Sequence, residues 1–258
     1  MKLGTRRGRR RVSSGLALLL ALIAVGGLYS ATAPESTAQD SGLSVEAMAG
    51  QEIYENGCIT CHGRNLQGVE DQGPSLIGVG EAAVYFQVGT GRMPLAQNEA
   101  QAQRKTPAYD DAEVNQLMAY IQANGGGPTL PDEGDLREGE LAEGGELFRL
   151  NCASCHNFAG RGGALSGGKN APALTESTDL DIYTAMLSGP QNMPVFGDNQ
   201  LTPEQKRSII NYVQTLKETA DPGGAGIGRA GPVPEGLVIW VVGITVCLVV
   251  CVWVGSRA

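Results

Sequence analysis

Between Gly50 and Lys217 the chain says one thing twice. Each copy opens with a glycine and, four residues on, an aromatic: Gly50 and Tyr54, then Gly144 and Phe148. Each runs into Cys-x-x-Cys-His, first as Cys58-Ile59-Thr60-Cys61-His62, then as Cys152-Ala153-Ser154-Cys155-His156. A Gly-rich stretch ends in Pro74-Ser75-Leu76 and in Pro172-Ala173-Leu174. Val84-Tyr85 and Ile182-Tyr183 follow, and then Gly-x-x-x-Met-Pro, at Gly89 to Met93-Pro94 and Gly189 to Met193-Pro194. Each copy closes on an apolar helical pattern, with Leu117 and Tyr120 or with Ile209 and Tyr212. Shared features in one order mean duplication, so the middle must fold as two like units. The length of 258 residues agrees with two domains.

The closing segments read as amphipathic helices. Thr202 is placed to cap the second, with Pro203 at its first position and Gln205 completing a capping box. Ile209, Ile210, Val213 and Leu216 then share a face, as do Val114, Leu117, Met118 and Ile121 after an Asp110/Asp111 start. No run alternates with period two. The expected class is all-α with long Gly-rich loops, as two tandem domains between two membrane helices. The expected boundaries are 1–12 for a basic tail, 13–33 for an N-terminal anchor, 45–125 and 138–219 for the two units. A linker over 126–137, a Gly/Pro tether over 220–235 and a last span over 236–255 complete the list.

Two thiols three residues apart lie on one side of a helical turn. They can add to the two vinyl groups of a haem, and the following histidine then offers a ring nitrogen to the iron. Cys-x-x-Cys-His therefore reads as c-type haem attachment. A disulfide within each pair would leave the histidine, present both times, without a reason. One zinc shared between Cys58/Cys61 and Cys152/Cys155 is awkward when each pair carries its own histidine. The chain has only two histidines, which excludes His-rich metal sites. It is also short of aromatics, at 5%, and rich in glycine, with 37 residues. A large apolar macrocycle in each unit would supply the missing core.

With both histidines used, the sixth iron position falls to methionine, the usual alternative, which raises the potential. Met93 and Met193 are counterparts, 31 and 37 residues beyond their histidines, and are the expected ligands; packing or an open site is the alternative. Met48 and Met118 have no counterpart, and Met186 lies on a helical pattern that suits packing. A carbonyl at Pro74 or Pro172 can accept the other ring N–H of His62 or His156; the alternative is an ordinary loop proline. Gly50 with Tyr54, and Gly144 with Phe148, let the first helix cross the last closely, against Tyr120 and Tyr212.

Two uncharged apolar runs flank the repeat, 15–33 and 236–255, of 19 and 20 residues. At about 1.5 Å per helical residue each can cross a hydrocarbon core of about 30 Å. The first is read as a retained anchor, with a signal peptide cleaved near Ala31-Thr32-Ala33 as the alternative. Trp240 and Trp253 sit near the ends of the second, as in an interfacial belt. Cys247 and Cys251 fit as small apolar residues at a helix interface; lipidation or redox use is the alternative. Seven of the 19 bases lie outside these runs, which leaves 12 against 27 acids in between, a net of −15. So acidic a middle excludes nucleic-acid binding, which depends on Lys and Arg. Basic residues 2–11 stay in the cytoplasm, so the acidic middle is expected outside.

Each unit resembles a small class I cytochrome c. The whole order resembles the dihaem cytochrome c subunit of the actinobacterial-type cytochrome bcc complex, a ubiquinol/menaquinol–cytochrome c reductase (translocase). The resemblance covers almost the entire chain. It implies a multi-pass cell-membrane electron carrier between cytochrome b with its Rieske iron–sulfur partner and an aa-type cytochrome c oxidase. Carried over by position, Cys58, Cys61, His62 and Met93 hold one covalent haem c, and Cys152, Cys155, His156 and Met193 the other. The competing functions are an electron-transfer subunit of another periplasmic dehydrogenase or oxidase, and a dihaem peroxidase. The peroxidase needs an open iron position and proton-transfer groups that the sequence does not offer.

Overall fold

The computed structural model describes residues 6–32, 42–97, 99–132, 134–220, 227–229 and 231–257. The start of the basic tail (1–5), Ala33 at the expected cleavage motif and most of the tether (221–226 and 230) lie outside the described residues. The chain divides into Met1–Gly42 and Leu43–Ala258. Among its described residues the first part holds one helix, α1, Arg6–Thr32. Its apolar stretch, Gly15–Tyr29, is the shorter kind of apolar helix. Among the described residues one helix is long and apolar enough to cross a membrane, Val233–Gly255. It belongs to α10, Pro232–Gly255.

Between them the first copy folds as α2 (Val45–Gly57), α3 (Ile59–His62), α4 (Gly80–Gly89) and α5 (Asp111–Gly125). The second copy folds as α6 (Leu141–Asn151), α7 (Ala153–His156), α8 (Asp179–Ser188) and α9 (Pro203–Glu218). The expected caps form. Asp110 and Glu113 make a reciprocal capping box at α5, and Thr202 and Gln205 make one at α9 with Pro203 in the first turn. These bonds satisfy N–H groups that the first turn of a helix leaves without partners.

The architecture is mostly helical. One element was not expected. Within the Gly-rich stretch of the second copy, β1 (Gly163–Ala164) pairs antiparallel with β2 (Asn170–Ala171), Gly163 opposite Ala171. The Ser166–Gly168 turn between them needs Gly167 at φ 69. Strands of two residues are too short to carry period-two alternation, so the pattern could not announce them.

Each copy has its own core. Tyr54, Leu66, Val84, Val114, Leu117, Met118, Tyr120 and Ile121 form one buried cluster. Phe148, Ile182, Tyr183, Met186, Ile209, Ile210 and Val213 form the other. Both depend on a close helix crossing. A Cβ added at Gly50 would lie 1.9 Å from Gln116 O on α5, and one at Gly144 would lie 1.8 Å from Ser208 O on α9. Only glycine lets the backbones approach so near. The aromatic one turn later then meets its partner: Tyr54 and Tyr120 ring centroids are 5.3 Å apart, Phe148 and Tyr212 5.5 Å. The tilted geometry is one that aromatic pairs favour. The crossing fixes the helix that delivers the cysteines. The two copies also touch, with α4 of the first packed on α8 of the second.

Candidate haem sites

In both copies the first cysteine caps the entering helix. Cys58 N–H donates to Tyr54 O and Cys152 N–H to Phe148 O, each at 2.8 Å. The chain then makes one tight turn, α3 or α7. The histidine N–H closes it on the first cysteine carbonyl, 2.9 Å in both copies. The turn stops on positive φ, 76° at Gly63 and 68° at Asn157. In the first copy the Tyr54 hydroxyl also donates to Gly63 O at 2.6 Å, a brace that Phe148 cannot supply. Burial pushes the Tyr54 phenol up to about 12, with Cys58 and Tyr120 adding to it.

None of the four motif cysteines is in a disulfide. Burial, with the neighbouring cysteine contributing less, pushes Cys58 up to about 11 and Cys152 up to about 12.

The histidines are held as expected. His62 Nδ1 lies 2.8 Å from Pro74 O, and His156 Nδ1 lies 3.0 Å from Pro172 O. A carbonyl only accepts, so Nδ1 carries the proton and Nε2 keeps its lone pair for a metal. Burial lowers the His156 pKa, against the opposing effect of the Pro172 bond, and so favours the neutral ring.

The methionines sit where each fold can use them. Met93 packs against the same buried cluster as Cys58, Ile59 and Leu76, and Met193 against the same cluster as Cys152 and Leu174. Met93 N–H donates to Gln87 O at 2.8 Å and Met193 N–H to Pro190 O at 3.1 Å, so a backbone bond sets each loop. The Met93–Pro94 bond is cis. Met118 and Met186 are buried core residues, and Met48 is exposed.

A cleft of about 380 Å³ opens beside the second motif, within the size range of cofactor pockets. Cys152, Cys155, His156 and Met193 all line it, with Leu165, Ile182, Phe196, Ile209 and Val213 as apolar walls. Two thiols, a free imidazole nitrogen, a thioether and an apolar slot are the donor set that a covalent haem requires. The residues fit the group. Sequence reasoning missed four residues on the wall of this cleft, Phe86, Arg92, Gln101 and Arg104, which come from the first copy. No local spacing could have disclosed them.

A helical unit that presents this donor set is a c-type cytochrome. The comparisons agree: the family described as cytochrome c matches residues 47–124. That described as cytochrome c oxidase, cbb3-type, subunit III matches residues 139–213. Full-length relatives narrow the family. A Mycobacterium tuberculosis protein called the cytochrome bc1 complex cytochrome c subunit is 50% identical over 98% of this chain and 94% of its own length. Proteins of the same name in Mycobacterium leprae and Corynebacterium diphtheriae are 52% and 47% identical, over 95% and 100% of this chain and 88% and 98% of their own lengths. The chain belongs to the family of cytochrome bc1 complex cytochrome c subunits, and binds haem c covalently.

Proposed function

We propose that the chain is a dihaem electron carrier of a quinol-oxidising bc1-type complex. One haem is held by Cys58, Cys61, His62 and Met93, the other by Cys152, Cys155, His156 and Met193. The observation that carries this reading is the repeated geometry: two cysteines on one tight helical turn, a histidine held through Nδ1 by a proline carbonyl, and a methionine packed on the same core. Bound there, the haem iron supplies a one-electron couple. The residues of the chain do the rest. The thiols would tether the group, Pro74 and Pro172 hold the imidazoles that would bind the iron, and the methionine sulfurs would complete its ligand set, which would leave no opening for a substrate. That favours carriage over peroxidase chemistry.

The domains are taken as 45–125 and 138–219, joined over 126–137 and tied by 220–235 to a span over 236–255. Residues 13–33 form a second span behind the cytoplasmic tail 1–12. The haem units then lie on the extracytoplasmic side of the cell membrane. The chain receives electrons from cytochrome b and Rieske subunits and delivers them to an aa-type cytochrome c oxidase, as part of a reductase that acts as a translocase.

Mass measurement tests the cofactor: two haem additions are expected, on the peptides with Cys58/Cys61 and Cys152/Cys155, and none would end the proposal. Affinity purification in mild detergent tests the partners. Cytochrome b and an oxidase are expected to co-purify; a dehydrogenase in their place would overturn the assignment.

A further inference from the structure

The cleft beside Cys152 and His156 is not walled by its own unit alone. The first-unit residues that line it are pinned there. Gln101 exchanges two bonds with the Asn170 backbone, Nε2–H to the carbonyl at 2.7 Å and N–H to Oε1 at 2.9 Å. Gln191 Oε1 accepts the Ala102 N–H at 3.0 Å, and Arg104 meets Asp181 at 3.3 Å.

Arg92 is the unusual member. It is only 8% exposed. Its guanidinium lies 4.5 Å from the Phe86 ring centroid and donates to the Thr90 hydroxyl at 2.5 Å. Among the described residues no carboxylate pairs with it. A buried cation is costly unless an anion joins it. The other charged groups on the cleft wall are Arg104, Lys169, Glu176 and Asp181. Asp181 is taken by Arg104 and by the Thr178 N–H, Lys169 is held by Asn192 Oδ1, and Glu176 is exposed. Asp181 attracts Arg92 from a distance but is bonded to Arg104, so among the described residues no carboxylate is bonded to this buried positive charge. A haem brings two carboxylates, its propionates.

We propose that Arg92 of the first unit, with Arg104 beside it, supplies the counter-charge for the propionates of the haem held by the second unit, so that this site is completed across both units. The inference rests on the assignment of that haem to Cys152, Cys155, His156 and Met193. Arg92 directly precedes Met93. One turn therefore offers a sulfur to one site and a charge to the other. A cation beside a haem favours the reduced state, so Arg92 raises the potential of the second haem.

The test is a redox titration of the full detergent-solubilised chain, its two components assigned by Met93→Ala and Met193→Ala. In Arg92→Gln the component assigned to Met193 loses about tenfold in its reduced-to-oxidised ratio at fixed ambient potential, about 59 mV for one electron. Arg92→Lys restores most of it, and the Met93 component stays in place. A shift confined to the Met93 component means Arg92 acts only through its own loop, and overturns the proposal. So does no shift at all. Arg92→Lys serves as well if Arg92→Gln does not fold. It replaces a fork by a point charge, so the propionate carboxylate bands in redox-difference infrared spectra must move, and unmoved bands overturn the proposal. Mass measurement separates the two levels. No haem on the Cys152/Cys155 peptide ends the site assignment and this inference with it; haem present with an unchanged potential ends only the inference.

Discussion

Lys206 Nζ, on a side chain with no exposed surface, donates to Asp198 Oδ1 at 2.5 Å. The ammonium also lies 5.7 Å from the Tyr183 ring centroid. The pair ties the loop that follows Met193 to helix α9. Asp198 itself is 64% exposed, so water screens the pair from one side. Asp198→Ala leaves the ammonium buried without its acceptor and costs about 1–3 kcal/mol. The Met193 loop loosens with it. The expected sign is a weaker long-wavelength methionine–iron absorption from one of the two ferric haems, read beside a denaturant melt. Full absorption in a destabilised variant would show that the clamp serves the fold and not the ligand.

On the proposed ligand assignment, Met93 and Met193 should each answer for one haem. Met93→Ala removes the long-wavelength absorption of one haem and lowers its potential, and Met193→Ala does the same to the other, because thioether ligation favours ferrous iron. Spectropotentiometry reads both. A variant that alters both haems equally, or neither, would break the one-to-one assignment.

The two glycines at the helix crossings should be intolerant. Gly50→Ala and Gly144→Ala each force a methyl within 2 Å of a backbone oxygen, Gln116 O or Ser208 O. Backbone cannot swing aside as a side chain can, so the helices must part. The cost expected is at least about 1–3 kcal/mol, as for an overpacked core. Thermal denaturation checks it, and unchanged stability at either site would show that the crossing relaxes.

The haem-free chain should show the raised thiols. Cys58 and Cys152 stand above the ordinary thiol value of 9.0, at about 11 and about 12. Alkylation of these two should stay slow at pH 8 and speed up only toward those values. The linked stability has a definite sign. Above about pH 9 the unfolded chain loses thiol protons that the folded chain keeps, so stability falls as pH rises from 9 toward 12. Mass-resolved alkylation against pH checks the first, and denaturant midpoints across the same range check the second.

Much of the site was legible because its chemistry is local. Two thiols can add to one haem only from one helical turn, so spacing alone singled out Cys58 with Cys61 and Cys152 with Cys155. The proline carbonyls were legible through duplication, since Pro74 and Pro172 recur at one place after their histidines. Helix starts were legible through Asp110 and through Thr202 with Gln205, because a cap bonds residues three apart; Glu113, which completes the box at Asp110, came only with the structure. The β1–β2 hairpin was not, because two residues per strand leave no period to read.

The sequence by itself determined that there are two units, which residues form the tight Cys-x-x-Cys-His turns, and which glycines must stay bare. Each follows from contacts within a turn or from a pattern written twice. Only the tertiary structure decided that Lys206 is buried under Tyr183, and that Arg92, Gln101 and Arg104 of one unit wall the cleft of the other. Arg104 and Asp181 stand 77 positions apart, and Gln101 and Asn170 stand 69 apart. Such pairs form because α4 packs on α8, and the burial that drives this packing is non-directional and leaves no fixed spacing in the chain.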